Sequence, residues 1–120
     1  MNQAIYAAIT IAVLTTPARA DEVAFLGAGT HTCAEFGRFY QLSPLDSENV
    51  FFSWAEGFMS GLNAAEIHAT GNSKNLGTMS LESEKQFLRS YCNDHPLAEY
   101  TKAIFELFSK FPPNSPVQKP

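Results

Sequence analysis

Residues 47–68 read SENVFFSWAEGFMSGLNAAEIH, and this stretch decides the fold. Phe51, Trp54, Ala55, Phe58, Leu62 and Ala65 recur at the i, i+3, i+4, i+7 spacing of one helical face. Asp46 or Ser47 can cap such a helix, and Glu48 suits the positive end of its dipole. Gly57 and Gly61 each cost about 1 kcal/mol of helix propensity against Ala, so a packing reason is expected for them. With Ser53 they form a groove of small residues spaced by four, which lets another helix of the same chain approach closely. A homodimer face is the alternative use of that spacing. Glu56 and Asn63 inside the segment exclude a membrane-spanning helix. Trp54, Gly57, Phe58 and Gly61 are therefore candidate helix-packing or interface residues.

Working outward, Thr32-x-x-Glu35 is a capping box that opens a helix over Thr32 to about Leu42, ended by Ser43-Pro44. Residues 69–78, ATGNSKNLGT, read as a polar loop. Ser80 can cap a third helix to about Asn93, with Glu82 and Glu84 in its first turn and Leu81, Phe87, Leu88, Tyr91 and Cys92 facing inward. Pro96 breaks the chain or restarts it at the first position of a fourth helix. Leu97, Tyr100, Ile104, Leu107, Phe108 and Phe111 form the clearest amphipathic stripe, which Pro112-Pro113 stops. No segment alternates with period two. The expected fold is all-α, a small bundle of about four short helices over residues 21–111, followed by a Pro-rich disordered tail at 112–120.

Cys33 and Cys92 are the only cysteines, so one intramolecular pairing exists. A disulfide between the first and third helices is the expectation for an exported chain. His31 and His95 lie beside the two cysteines, so zinc bound by two Cys and two His is the competing reading, although H-x-C is not a usual zinc spacing.

Export is read from the start of the chain. Ala4 to Leu14 is an apolar run too short to span a bilayer, and Thr15-Thr16-Pro17 breaks it. Ala18-Arg19-Ala20 then offers the small residues of a signal-peptidase site. Residues 1–20 are thus expected to be a signal peptide and the destination the periplasm, although Met1-Asn2-Gln3 lacks the usual basic residue. No cysteine stands at the cleavage point, so no lipid anchor is expected.

The 120-residue chain carries 8 basic and 12 acidic residues, for a net charge of −4, an unsuitable balance for binding phosphate backbones. No nucleophile elbow, HExxH, P-loop or dinucleotide fingerprint is present. His68 reads as a helix-end cation, His95 as a capping or loop residue and Glu56 as a solvated carboxylate. Neither catalysis nor a cofactor is expected. Ten Phe, four Tyr and one Trp chiefly fill the core. Phe39, Phe52 and Phe105 are expected to project outward as a protein-binding patch, with Phe52, off the main stripe, the best candidate.

Thr32-Cys33-Ala34-Glu35-Phe36 resembles the T-C-x-[DE]-F start of the HdeA/HdeB-type periplasmic acid-stress chaperones. Tyr91-Cys92-Asn93-Asp94-His95-Pro96 resembles the Y-C-x-x-[NH]-P segment that holds their second cysteine, and a Trp-containing helix lies between. That resemblance implies a small helical periplasmic protein. In that family, acid releases a compact dimer into partly unfolded monomers that bind aggregating clients. A second stretch, Trp54-Ala55-Glu56-Gly57-Phe58-Met59-Ser60-Gly61-Leu62-Asn63, is similar to the G-[YF]-x-x-G helix of the Rap/Tai amidase-immunity proteins. Phe87-Leu88-Arg89 through His95-Pro96-Leu97, followed by an amphipathic helix, is similar to them too. That resemblance implies an exported helical protein that blocks a toxin enzyme. Both imply a partner that is a protein, either an aggregating client or a cognate toxin.

Overall fold

The computed structural model describes residues 24–115, so the expected signal peptide at 1–20 and the last residues, 116–120, lie outside it. Among the described residues the fold is all-α, with four helices and one disulfide. They are α1 (Cys33–Leu42), α2 (Pro44–Thr70), α3 (Leu81–Asp94) and α4 (Tyr100–Lys110), with single 3-10 turns at Ala28–Thr30 and Leu76–Thr78.

The capping box of α1 forms as the sequence requires. The Thr32 hydroxyl accepts from the Glu35 amide at 3.2 Å, and the Thr32 amide donates to Glu35 Oε2 at 2.7 Å. The next two amides of α1 find partners elsewhere: Cys33 donates to the Ala98 carbonyl at 2.7 Å and Ala34 to the Pro96 carbonyl at 2.9 Å. These bonds zip the start of α1 to the connection before α4. They are also why α4 begins at Tyr100 rather than at Pro96. Leu97, expected in the α4 stripe, sits in that connection and is 90% exposed.

Helix α2 starts three residues earlier than expected. Ser43 is its N-cap and Pro44 its first helical residue, the position where a missing N–H costs nothing. One residue therefore separates α1 from α2. Gly71, with φ 77°, ends α2 in the left-handed conformation that glycine adopts without strain. Ser80 caps α3 by accepting from the Ser83 amide at 3.2 Å.

The core is built around α4. Tyr100, Ala103, Ile104 and Leu107 are buried, with Phe111 closing the end. Helix α3 adds Leu88 and Cys92, α1 adds Cys33 and Phe36, and α2 adds Phe51, Phe52, Ala55 and Met59. Helix α1 packs on α2 and α3, and α4 packs on α3 and α2. The face that α2 buries is rotated from the expected stripe. Phe52 is only 4% exposed, and its ring lies under Lys85 Nζ at 5.3 Å. The outward-facing role assigned to it is thereby overturned. Ala65 is exposed, because α2 outruns the shorter helices beside it. Leu81 also faces out, and Glu84 takes an inner position of α3 instead.

The start of the expected tail is tied down. Asn75 donates its amide to the Pro112 carbonyl and Asn114 donates its own to the Ser73 carbonyl, both at 2.8 Å. Lys74 Nζ caps the end of α4 through the Phe111 carbonyl at 3.0 Å. The Asn63 side chain holds the same loop by bonding both the amide and the carbonyl of Lys74.

Candidate interaction surface

Trp54 and Phe58 stand one turn apart on α2 and stack at 5.0 Å with a 12° interplanar angle. Phe25 and Phe105 approach Phe58 edge-on at 5.5 and 5.3 Å. This aromatic cluster is half-buried, because the segment before α1 runs across it. Trp54 Nε1 donates to the Leu26 carbonyl at 3.0 Å, and the Thr101 hydroxyl of α4 donates to the Gly29 carbonyl at 2.6 Å. Gly29 has no room for a side chain. A Cβ there would overlap the Trp54 ring and sit 2.7 Å from Thr101 Oγ1. Gly27, with φ 87°, takes a conformation that side chains disfavour, against the same ring. The Gly-Ala-Gly run at 27–29 is the sequence signal that went unused, lying as it does between Phe25 and His31.

Gly57 and Gly61 are different. Each would meet nothing within 4 Å of an added Cβ. Among the described residues no helix packs into the groove, so the intramolecular packing expected for it is not found there. Ser53, Gly57, Ser60, Gly61 and Ala64 are all exposed and form the outer face of α2. The groove is open beside the Trp54–Phe58 cluster.

A second exposed region lies where α1 turns into α2. Leu42, the last residue of α1, and Leu45, the second of α2, are 84% and 77% exposed. Phe39 and Val50 are also exposed, and both line a cleft of about 420 Å³ with Ala28, His31 and Phe51. Phe39 and Phe105 thus project outward as expected, and Phe52 does not. A larger cleft, about 480 Å³, runs between α1 and α3 along Phe36, Tyr40, Arg89 and Asn93. The Arg89 guanidinium there is already held by Glu48 and Glu82, so its charge is not free for an anion.

Cys33 and Cys92 are joined as a disulfide with their Cα atoms 4.6 Å apart, so their thiolates are not zinc ligands. His31 packs edge-on to Phe39 and has Nδ1 3.6 Å from Glu35 Oε2. His68 lies exposed in the last turn of α2, where a cation suits the helix dipole. His95 is the C-cap of α3, with Nδ1 3.0 Å from the Tyr91 carbonyl. Glu56 is exposed, as a solvated helix-face residue is.

Two carboxylates are pushed in opposite directions. The amide and hydroxyl of Thr32 hold the Glu35 carboxyl below its usual range. Burial raises that of Glu84, and the neighbouring Glu56 charge adds to the rise. Glu84 is 3% exposed and sits in the first turn of α3, where the dipole favours the charged form; desolvation outweighs it.

Among the described residues there is no group of three or more His, Cys, Asp or Glu side chains placed to hold a metal ion. No described helix is long and apolar enough to cross a membrane. Comparison with protein-family models, with curated proteins and with solved structures gave no significant match to this chain.

Proposed function

We propose that the chain is an exported, non-catalytic protein that binds other polypeptides, of the stress-chaperone type and resident in the periplasm. The observation that carries this reading is the apolar corner of Phe39, Leu42, Leu45 and Val50 about the α1–α2 turn, exposed among the described residues. Large exposed apolar residues grouped on a small domain mark a surface made for another protein. The disulfide fits an oxidising compartment. After loss of residues 1–20, strong acid would leave 7 basic residues and 3 His charged against neutral carboxyls, a side-chain charge of about +10. Self-repulsion then loosens the fold, while the disulfide keeps α1 attached to α3. The purified, oxidised protein is expected to keep an acid-denatured client soluble at pH 2–3. Failure to suppress aggregation where the protein itself stays soluble sinks this reading; dye binding alone does not support it, because charge loosens many small domains.

A second reading, an immunity-type protein that neutralises a secreted toxin enzyme, is favoured by the open outer face of α2. Gly57 and Gly61 lower that surface without meeting any of the other described residues. Tight one-to-one binding of a single enzyme at neutral pH, lost on Gly61→Leu with the melting temperature unchanged, is what this reading requires.

A further inference from the structure

Residues 26–30 cover Trp54 almost wholly with main chain. Two side-chain donors on different helices, the Trp54 indole of α2 and the Thr101 hydroxyl of α4, are satisfied by the carbonyls of Leu26 and Gly29. The glycines at 27 and 29 contribute no side chain to the contact, and Leu26 points to solvent. The remaining bonds of the strap are largely its own: the Thr30 amide and hydroxyl both donate to the Gly27 carbonyl, at 3.1 and 2.9 Å. Leu26, Gly27 and Thr30 are exposed, and only Ala28 and the Gly29 backbone pack inward, which places the segment toward the less stable end of the fold. It also lies before Cys33, outside the loop that the disulfide closes, so its release breaks no covalent tie between α1 and α3.

We propose that this strap is displaceable, and that the face beneath it docks an apolar, small-residue stretch of another polypeptide in its place. The occupant is defined by what the strap now supplies. It needs two carbonyls three residues apart, one for Trp54 Nε1 and one for Thr101 Oγ1, and glycine where the chain crosses the indole, since a Cβ there overlaps the ring. Stacked Trp54 and Phe58, with Phe105 beside them, provide an apolar floor. Recognition by main-chain carbonyls and aromatic faces accepts many sequences. The site rests on the polypeptide-binding reading only for the class of its occupant, and the strap shifts population toward the open form when an external segment competes.

The test uses the full exported chain with its disulfide intact. Trp54 is the only tryptophan, so its emission reports the strap directly. Gly29→Ala forces the strap away from the indole. Its acrylamide quenching should rise at least threefold, with helical circular dichroism and the amide protection of Ile104 and Leu107 unchanged. A fluorescein-labelled copy of residues 24–32, AFLGAGTHT, should bind this variant at least tenfold more tightly than the wild type. An opened protein that does not bind this peptide overturns the docking site. Should Gly29→Ala not fold, hydrogen exchange on the wild type decides. Thr30 and His31 amides exchanging well ahead of Ile104 and Leu107 support a displaceable strap, and exchange in one cooperative step overturns it. A protein that opens and binds the peptide yet protects no client keeps this site and loses only the chaperone reading.

Discussion

Helix α4 and the outer face of α2 show opposite uses of helical sequence. In 11 residues α4 buries Tyr100, Thr101, Ala103, Ile104 and Leu107, and both α2 and α3 pack against it. In 27 residues α2 buries four, Phe51, Phe52, Ala55 and Met59, and turns a row of small residues outward. The short helix is held by packing. The long one is a platform: its inner face joins the core and its outer face is presented. A helix that carries two exposed glycines has given up helix propensity without any return in packing among the described residues.

The largest perturbation of this division is loss of the staple. Cys33→Ser or Cys92→Ser removes a cross-link spanning 59 residues of sequence. The chain-entropy account gives about 4 kcal/mol for such a loop, within the 2–5 kcal/mol typical of small secreted domains. The loss should fall unevenly. Amide protection should collapse in α4, whose neighbour α3 is no longer fixed to α1, and change least at the exposed C-terminal end of α2. Equal melting of the oxidised and reduced protein would remove the staple from the account.

Next in size is a paired substitution. Leu107→Ala empties a fully buried site and should cost about 2–5 kcal/mol by chemical denaturation. Gly57→Ala and Gly61→Ala add a methyl to open space on a helix interior and should each stabilise by up to about 1 kcal/mol. The pair is sharper than either alone, since one reports on packing at a buried site and the other on helix propensity at an open one. A loss of stability at Gly61→Ala would mean that the outer face of α2 is covered.

The sequence made α4 legible because one face of a short helix carries nearly all of its large apolar residues. The same reasoning misplaced α2 by a fraction of a turn. Trp54 and Phe58 do belong near the apolar side, but they lean on a glycine-rich strap, and nothing in periodicity shows a strap. Phe52 reads as exposed only if Trp54 and Phe58 mark the centre of the face. Leu97 misled for another reason. It continues the α4 spacing, but the carbonyls of Pro96 and Ala98 are committed to the first turn of α1, so the helix cannot begin there. The capping box and the disulfide pairing were readable, being local in one case and forced by number in the other. Which glycines are packed was not: Gly57 and Gly61 have the regular spacing and are free, whereas Gly27 and Gly29 lie in an irregular segment and meet Trp54.

The smallest expected effect separates inside from outside by pH. Glu84 is buried and its folded-state pKa lies above the ordinary 4.5, so protonation favours the fold. The stability linked to its proton is complete below the unfolded pKa and is lost as pH rises through the raised folded value. Glu84→Gln, permanently neutral, should therefore be more stable than the wild type at pH 7, with the difference closing below about pH 4. Glu35 works in the opposite sense. Its folded pKa is depressed by Thr32, so its contribution is present at neutral pH and is lost as pH falls through that depressed value. Glu35→Gln should be less stable at pH 7, with the deficit vanishing in acid. Denaturant titrations of both variants at pH 7 and pH 3 check the crossing. If they cross as described, Glu84 resists acid-driven opening and Glu35 promotes it. Any loosening at low pH then begins where Glu35 caps α1, beside His31 and the end of the strap, while the inner face of α3 tightens. Parallel pH dependence of the two variants would show that burial of Glu84 is relieved in solution, and would move the origin of acid sensitivity from the strap end of the molecule to its net charge.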